Sequence, residues 1–330
     1  MNQVNDVEFI QIKLADGGEN TLEALCTKFA ECDTFDPLFR PLKHIYGITD
    51  QNQIVIEMSR SVGLQLLTKS ERNPLYTSSF GFGYALNQLL DKSSEFILTV
   101  GGSSTNDLGL GFLQALGARF LTADNQLIQN ITPSIYKQIS SIDLSPVYSK
   151  IQNKTFKVLS DVQNPLLGPT GCARIFSPQK GATPQTVDFL EQFGSFVLNQ
   201  FKFLEQNSDG AAGGIMYVLR NVLGAEVISG AEFVLNAQNF VQKTKYANLL
   251  LTGEGKFDEQ TGFGKAVQVV CKQFQGKKVG IFGQIEGKWE GLLDAAFSCQ
   301  RGICTLDDAV KNSAANVAEV AKGVINLMRK

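Results

Sequence analysis

The run Phe96-Ile97-Leu98-Thr99-Val100 is almost wholly apolar and too short for a helix of its own. It stops abruptly at Gly101-Gly102-Ser103-Ser104-Thr105-Asn106-Asp107. Such a run reads as a strand buried on both faces. The segment that follows, residues 108–116, is helix-competent. The pattern recurs along the chain. Strand-like runs at 7–14, 53–58, 155–159, 247–251 and 277–282 alternate with helix-like segments at about 21–30, 84–90, 183–204 and from 306 onward. Strands alternating with helices call for a parallel or mixed sheet with helices on its faces. The expected fold class is therefore α/β, with parallel or mixed sheets flanked by helices. Ligands of such sheets gather beyond the carboxyl ends of the strands. The polar clusters stand at those ends: Asp16, residues 101–107, Asp161, residues 253–258 and Gly283.

Composition narrows the chemistry. A chain of 330 residues, 43% hydrophobic and 19% charged, can bury one large or two medium cores. A net charge of −2 argues against a nucleic-acid or membrane partner. No apolar run reaches membrane-spanning length, and Met1-Asn2-Gln3-Val4-Asn5-Asp6 lacks the features of a signal peptide. Six cysteines lie scattered without a C-x-x-C pair, as expected of reduced thiols in a cytoplasmic protein. His44 is the only histidine. Its neighbours read as a strand, so it is expected to be packed or at the surface rather than catalytic. Catalysis must then lean on carboxylates, lysines, hydroxyls and backbone dipoles.

The loop 101–107 has two readings. Thr105, Asn106 and Asp107 are all good helix caps. Equally, the glycines permit close approach of a ligand, helix-start N–H groups favour anions, and Asp107 could hold a proton or Mg²⁺. The loop is neither Walker A nor G-x-G-x-x-G. Asp161 sits at another strand end, as a turn residue or as a metal or hydroxyl ligand. Lys180 precedes a helix, as a solvated lysine or a point charge for phosphate. The small residues of Asp209-Gly210-Ala211-Ala212-Gly213-Gly214 serve packing or ligand approach. Thr252-Gly253-Glu254-Gly255-Lys256-Phe257-Asp258, with Gly264-Lys265 beyond, carries acids and lysines after a buried strand. Thr183-Pro184 marks a helix start. The stripe Val310, Ala314, Val317, Ala321, Val324 and Met328 is expected to be core packing.

Taken in order, these segments resemble the bacterial-type glycerate kinase family. The matching pieces are Leu14-Ala15-Asp16-Gly17-Gly18-Glu19, Ile56-Glu57-Met58, Glu71-Arg72-Asn73-Pro74-Leu75, the loop 101–107, Ser160-Asp161-Val162 and Asn164-Pro165-Leu166-Leu167-Gly168-Pro169. They continue with Pro178-Gln179-Lys180-Gly181-Ala182, Gly210-Ala211-Ala212-Gly213-Gly214 and Leu251-Thr252-Gly253-Glu254-Gly255. The resemblance implies ATP- and Mg²⁺-dependent phosphorylation of D-glycerate, with the 2-phosphate product favoured, by a two-domain α/β kinase. It implies a discontinuous Rossmann-like domain from 1–60 plus 245–330, and an inserted domain, 61–244, carrying the loop. A homodimer is compatible with it.

Asp161, Asp107, Asp258 and Lys180 are the catalytic candidates. Asp161 and Asp107 are also the Mg²⁺ candidates. Asp16, Gly101, Gly102, Ser103, Thr105, Asn106, Gly253, Glu254 and Lys265 are the candidates for binding substrate or phosphate. This sequence departs from the family pattern in several places. The family's opening strand and Pro-Asp-Ser-Phe-Lys-Gly segment have no counterpart here. Asn20 and Leu108 stand where the family has glycine, and Gln163 replaces an acid. An impaired paralogue that senses a ligand, or a kinase for another small hydroxy acid, are the alternatives.

Overall fold

A computed structural model describes residues 7–257, 266–300, 302 and 304–329. They form two compact units. One comprises Ala15–Gly230, and the other the described residues of Met1–Leu14 and Ala231–Lys330. These boundaries differ from the 60 and 245 positions read from the sequence. The reason is strand pairing. The first strands of the chain are hydrogen-bonded into the sheet of the Ala15–Gly230 unit.

The strands of that unit are β1 (Lys28–Phe35), β2 (Pro41–Ile48), β3 (Ile54–Glu57), β4 (Glu95–Thr99), β5 (Arg119–Leu121), β6 (Ser141–Asp143), β7 (Thr155–Leu159) and β8 (Glu226–Ile228). Six of them make one sheet in the order β1-β2-β3-β4-β7-β8. From β3 to β8 all neighbours are parallel, and β1 and β2 add an antiparallel hairpin at one edge. The apolar runs fall in the middle of the sheet, where both faces are covered. Ile54, Val55, Ile56, Phe96, Ile97 and Leu98 are all buried. Helices Phe80–Leu89, Leu110–Leu116 and Ile215–Asn221 supply the packing partners. Thr183 caps helix Pro184–Phe201 by accepting from Thr186 N–H, with Pro184 at the first helical position as expected.

Two expectations fail here. Residues 7–14 have no regular structure rather than a strand. The helix from Thr21 ends at Leu25 instead of running to residue 30. From Ala30 to Thr34 the side chains alternate between more buried and exposed, and pairing with β2 makes a strand of a segment with no strong local preference.

The second unit has strands β9 (Leu249–Thr252), β10 (Lys256–Phe257), β11 (Lys277–Phe282), β12 (Gln284–Ile285) and β13 (Ala295–Ser298). A parallel sheet runs β13-β11-β9, and β10 pairs with β12. Helix Leu306–Met328 packs on β11, with Ala321 in one apolar cluster with Ile281, and Val324 and Ile325 are buried nearby along the helix. Its expected core stripe is packed only there, because Val310 is 65% exposed and Val317 and Met328 are also exposed. Periodicity defines an apolar face but not the length of what lies opposite. A helix of 23 residues spans about 34 Å, and a strand of 6 about 20 Å.

Candidate active site

The loop 101–107 begins where β4 ends. Gly101 N–H donates to the Gly17 carbonyl at 3.1 Å. A Cβ on Gly101 would lie 2.5 Å from Gly18 Cα. One on Gly17, at φ 92°, would lie 2.6 Å from the Leu159 carbonyl oxygen. Only glycine fits either position. The Asp16-Gly17-Gly18 turn is therefore seated on the carboxyl ends of β4 and β7. Asp16 Oδ1 accepts from Gly18 N–H at 3.2 Å, and the residue is half-buried. Asp161, two residues past Leu159, is half-buried at the same end of the sheet. Gly102 is exposed, with its carbonyl accepting from Leu64 N–H at 2.9 Å.

Beyond Gly102 the loop turns inward. Ser104 donates both N–H and Oγ–H to the Val62 carbonyl, at 2.9 and 2.8 Å. Thr77 Oγ1 donates to the Ser104 carbonyl at 3.2 Å. Ser103, Thr105 and Asn106 are buried, so their side chains face the interior rather than solvent. Thr105 Oγ1 and Asn106 Oδ1 have no hydrogen-bond partner, and Asn106 Nδ2 donates to Cys172 Sγ at 3.5 Å.

Two charged side chains hold this inward turn from below. Lys180, read from the sequence as a charge facing phosphate, is 2% exposed. Its ammonium donates to Ser103 Oγ at 3.0 Å and to the Thr105 carbonyl at 2.7 Å. Burial lowers its pKa to about 8. Asp107 is 1% exposed. Its Oδ2 accepts from Ser79 N–H at 2.7 Å, Ser79 Oγ at 2.8 Å and Gly111 N–H at 3.2 Å, and its Oδ1 from Gly109 N–H at 3.3 Å. Burial pushes this carboxyl above the usual carboxylate range, and those donors oppose the rise. The capping reading of Asp107 thus describes its contacts. Ser79 was missed in the sequence. The hydroxyl run Thr77-Ser78-Ser79 just before helix Phe80–Leu89 was the available signal.

The segment 209–214 serves close packing, since Leu108 N–H donates to the Gly213 carbonyl at 3.2 Å. Asn20 and Leu108 have φ of 66° and 50°. Both positions thus require the left-handed backbone that glycine adopts most readily. His44 is fully buried in β2, as a packed residue.

In the other unit, Gly253 and Glu254 follow β9, and Gly283 N–H donates to the Glu254 carbonyl at 3.2 Å. Asp258 and Lys265 lie outside the described residues. Among the described residues, no cluster of three or more His, Cys, Asp or Glu side chains could hold a metal by itself. No described helix is long and apolar enough to cross a membrane.

This glycine-seated strand-end loop belongs to a chain with close relatives. The model of the glycerate kinase family matches residues 1–329. Glycerate kinase of Halalkalibacterium halodurans is 36% identical over 95% of this chain and 87% of its own length. Glycerate 2-kinase of Escherichia coli K12 is 33% identical over 97% of this chain and 88% of its own. A solved structure from Salmonella typhimurium LT2, named for glycerate kinase 2, superposes with a TM-score of 0.79 at 33% identity. That match covers 98% of this chain and 90% of that one. The fold is thus that of a two-unit α/β kinase, and the chain belongs to the glycerate kinase family.

Proposed function

We propose that this protein transfers the γ-phosphoryl group of ATP to a hydroxyl of D-glycerate, with 2-phosphoglycerate as the product. The observation that carries the reading is the convergence of Asp16, Gly101, Gly102 and Asp161 at the carboxyl ends of β4 and β7, in a chain of this family. Phosphoryl transfer depends mainly on positioning and on neutralising charge. In this reading Asp161 orients the acceptor hydroxyl. The exposed Gly102 turn offers main-chain approach to an anion. Lys180 and Asp107 act from beneath, by holding the loop in shape.

The donor set suits Mg²⁺, which keeps several waters and takes one or two carboxylates alongside substrate phosphates. Half-buried Asp161 is the residue that would hold it. Asp107 is committed to main-chain and hydroxyl donors. The ion would supply charge neutralisation at the phosphates.

The test is a coupled assay with D-glycerate and ATP, with the product isomer read by NMR. Asp161→Asn is expected to abolish turnover and to leave the melting temperature within a few degrees of the parent. Undiminished turnover would remove Asp161 from the mechanism. A second reading is ligand binding without turnover. It is favoured by Leu108, a bulky residue held at φ 50° beside the loop. Thermal stabilisation by D-glycerate with no phosphorylated product would select it.

A further inference from the structure

We infer that Arg72 is an oxyanion-recognition residue of this site, its guanidinium taking the carboxylate or phosphoryl oxygens of a substrate. The inference rests on the kinase reading above for the identity of those anions.

The Ala15–Gly230 unit contains six arginines, and five of them (Arg40, Arg60, Arg119, Arg174 and Arg220) hold a carboxylate. Arg72 is the exception. Among the described residues its side chain has no hydrogen bond or ion pair, and its Nε is closed off from solvent without a partner. The adjacent acid does not serve it. Glu71 accepts from Thr68 N–H and Oγ1, both at 2.9 Å, and pairs with Arg40 at 2.6 Å. A guanidinium with a desolvated, unsatisfied N–H weakens a fold rather than supporting it. What it suits is an anion that arrives from outside.

The position of Arg72 ties it to the loop. Its carbonyl packs directly against Gly181, the neighbour of Lys180. The ammonium of Lys180 reaches Ser103 and Thr105. The chain that leaves Arg72 reaches the same loop through Thr77 and Ser79, which donate to the Ser104 carbonyl and to Asp107. A guanidinium offers a planar fork that matches the two oxygens of a carboxylate or phosphoryl group, which an ammonium does not. An unpaired arginine whose main chain packs against the neighbour of the loop-holding Lys180 suits recognition of an arriving anion better than bracing of the fold.

The experiment compares the parent with Arg72→Gln and Arg72→Lys as full-length proteins. Melting is followed with no ligand, with D-glycerate, with Mg-ATP and with inorganic phosphate. The KM values for D-glycerate and ATP are also measured. The free variants should melt no lower than the parent. Arg72→Gln should raise one KM by roughly 10- to 100-fold, with Arg72→Lys recovering only part of it. A rise confined to D-glycerate, with its thermal shift lost, assigns the carboxylate. A rise confined to ATP, with the phosphate shift lost, assigns the phosphoryl oxygens. Unchanged KM values and shifts overturn the inference. So does a much lower melting temperature of the free variants, which would mark a structural arginine. A parent that makes no phosphoglycerate sinks the kinase reading alone, because the thermal shifts still judge Arg72. A parent stabilised by none of the probes overturns the anion site.

Discussion

Replacing Lys180 with methionine sets two large opposing effects against each other, and pH separates them. Burial lowers the lysine from its ordinary 10.5 to about 8. That shift corresponds to about 3 kcal/mol of penalty on the charged form in the folded state. Below pH 8 both folded and unfolded chains carry the proton, and the folded state bears the whole penalty. Between pH 8 and 10.5 the unfolded chain keeps a proton that the folded chain has released, so stability rises with pH. Above 10.5 both are neutral and the effect levels off. At pH 7, Lys180→Met relieves about 3 kcal/mol but loses two charge-assisted hydrogen bonds, each about 1.5–3 kcal/mol. The variant should therefore be less stable by roughly 0–3 kcal/mol at pH 7. It should also lack the parent's gain of about 3 kcal/mol between pH 8 and 10.5. Cys172, which burial pushes up to about 12, stays protonated through that window. The only tryptophan, Trp289, lies in the other unit. Hydrogen exchange of peptides covering β4 and β7 is therefore the suitable assay, since it reads the stability of the relevant core. A parent-minus-variant difference that stays flat across pH 8–10.5 would refute the buried, loop-holding ammonium.

Two further outcomes follow from the same packing. His44 is fully buried with neither ring nitrogen partnered, and burial lowers its pKa to about 3, with the charge of Arg60 adding to the effect. Its folded pKa lies below its unfolded value, so stability is lost as pH falls from 6.5 towards 3. His44→Leu should remove most of that acid lability, raise stability at pH 7 by about 1 kcal/mol, and leave turnover unchanged. An acid titration by circular dichroism that superposes on the parent would contradict this. Leu108→Gly relieves about 1–2 kcal/mol of left-handed backbone strain but empties a fully buried site worth roughly 3–5 kcal/mol. The net effect should be a loss of about 2 kcal/mol, and a higher melting temperature would show that strain outweighs packing.

Local patterns carried much of the architecture. The run at 96–100 is legible as a strand because a strand buried on both faces is nearly continuous in apolar residues, and 155–159 and 277–282 are legible because each ends in buried apolar residues just before a polar loop. Thr183-Pro184 is legible as a helix start because the cap and the proline act within one turn. β1 was hidden, because Lys28-Phe29-Ala30-Glu31 has no strong local preference and becomes a strand only by pairing with β2. The first half of helix Leu306–Met328 misled, because an apolar stripe does not state whether anything lies against it.

Sequence order and glycine spacing by themselves determined that this is an α/β chain with polar loops at its strand ends, and which family it joins. Both are properties of short, contiguous segments. Only the tertiary structure decided which way the side chains of the loop face. Ser103, Thr105, Asn106 and Asp107 look equally available as letters, yet Lys180 arrives from 77 residues away to hold Ser103, and Ser79 from 28 residues away to hold Asp107. Desolvation depends on which distant groups close over a residue, and no local pattern encodes that.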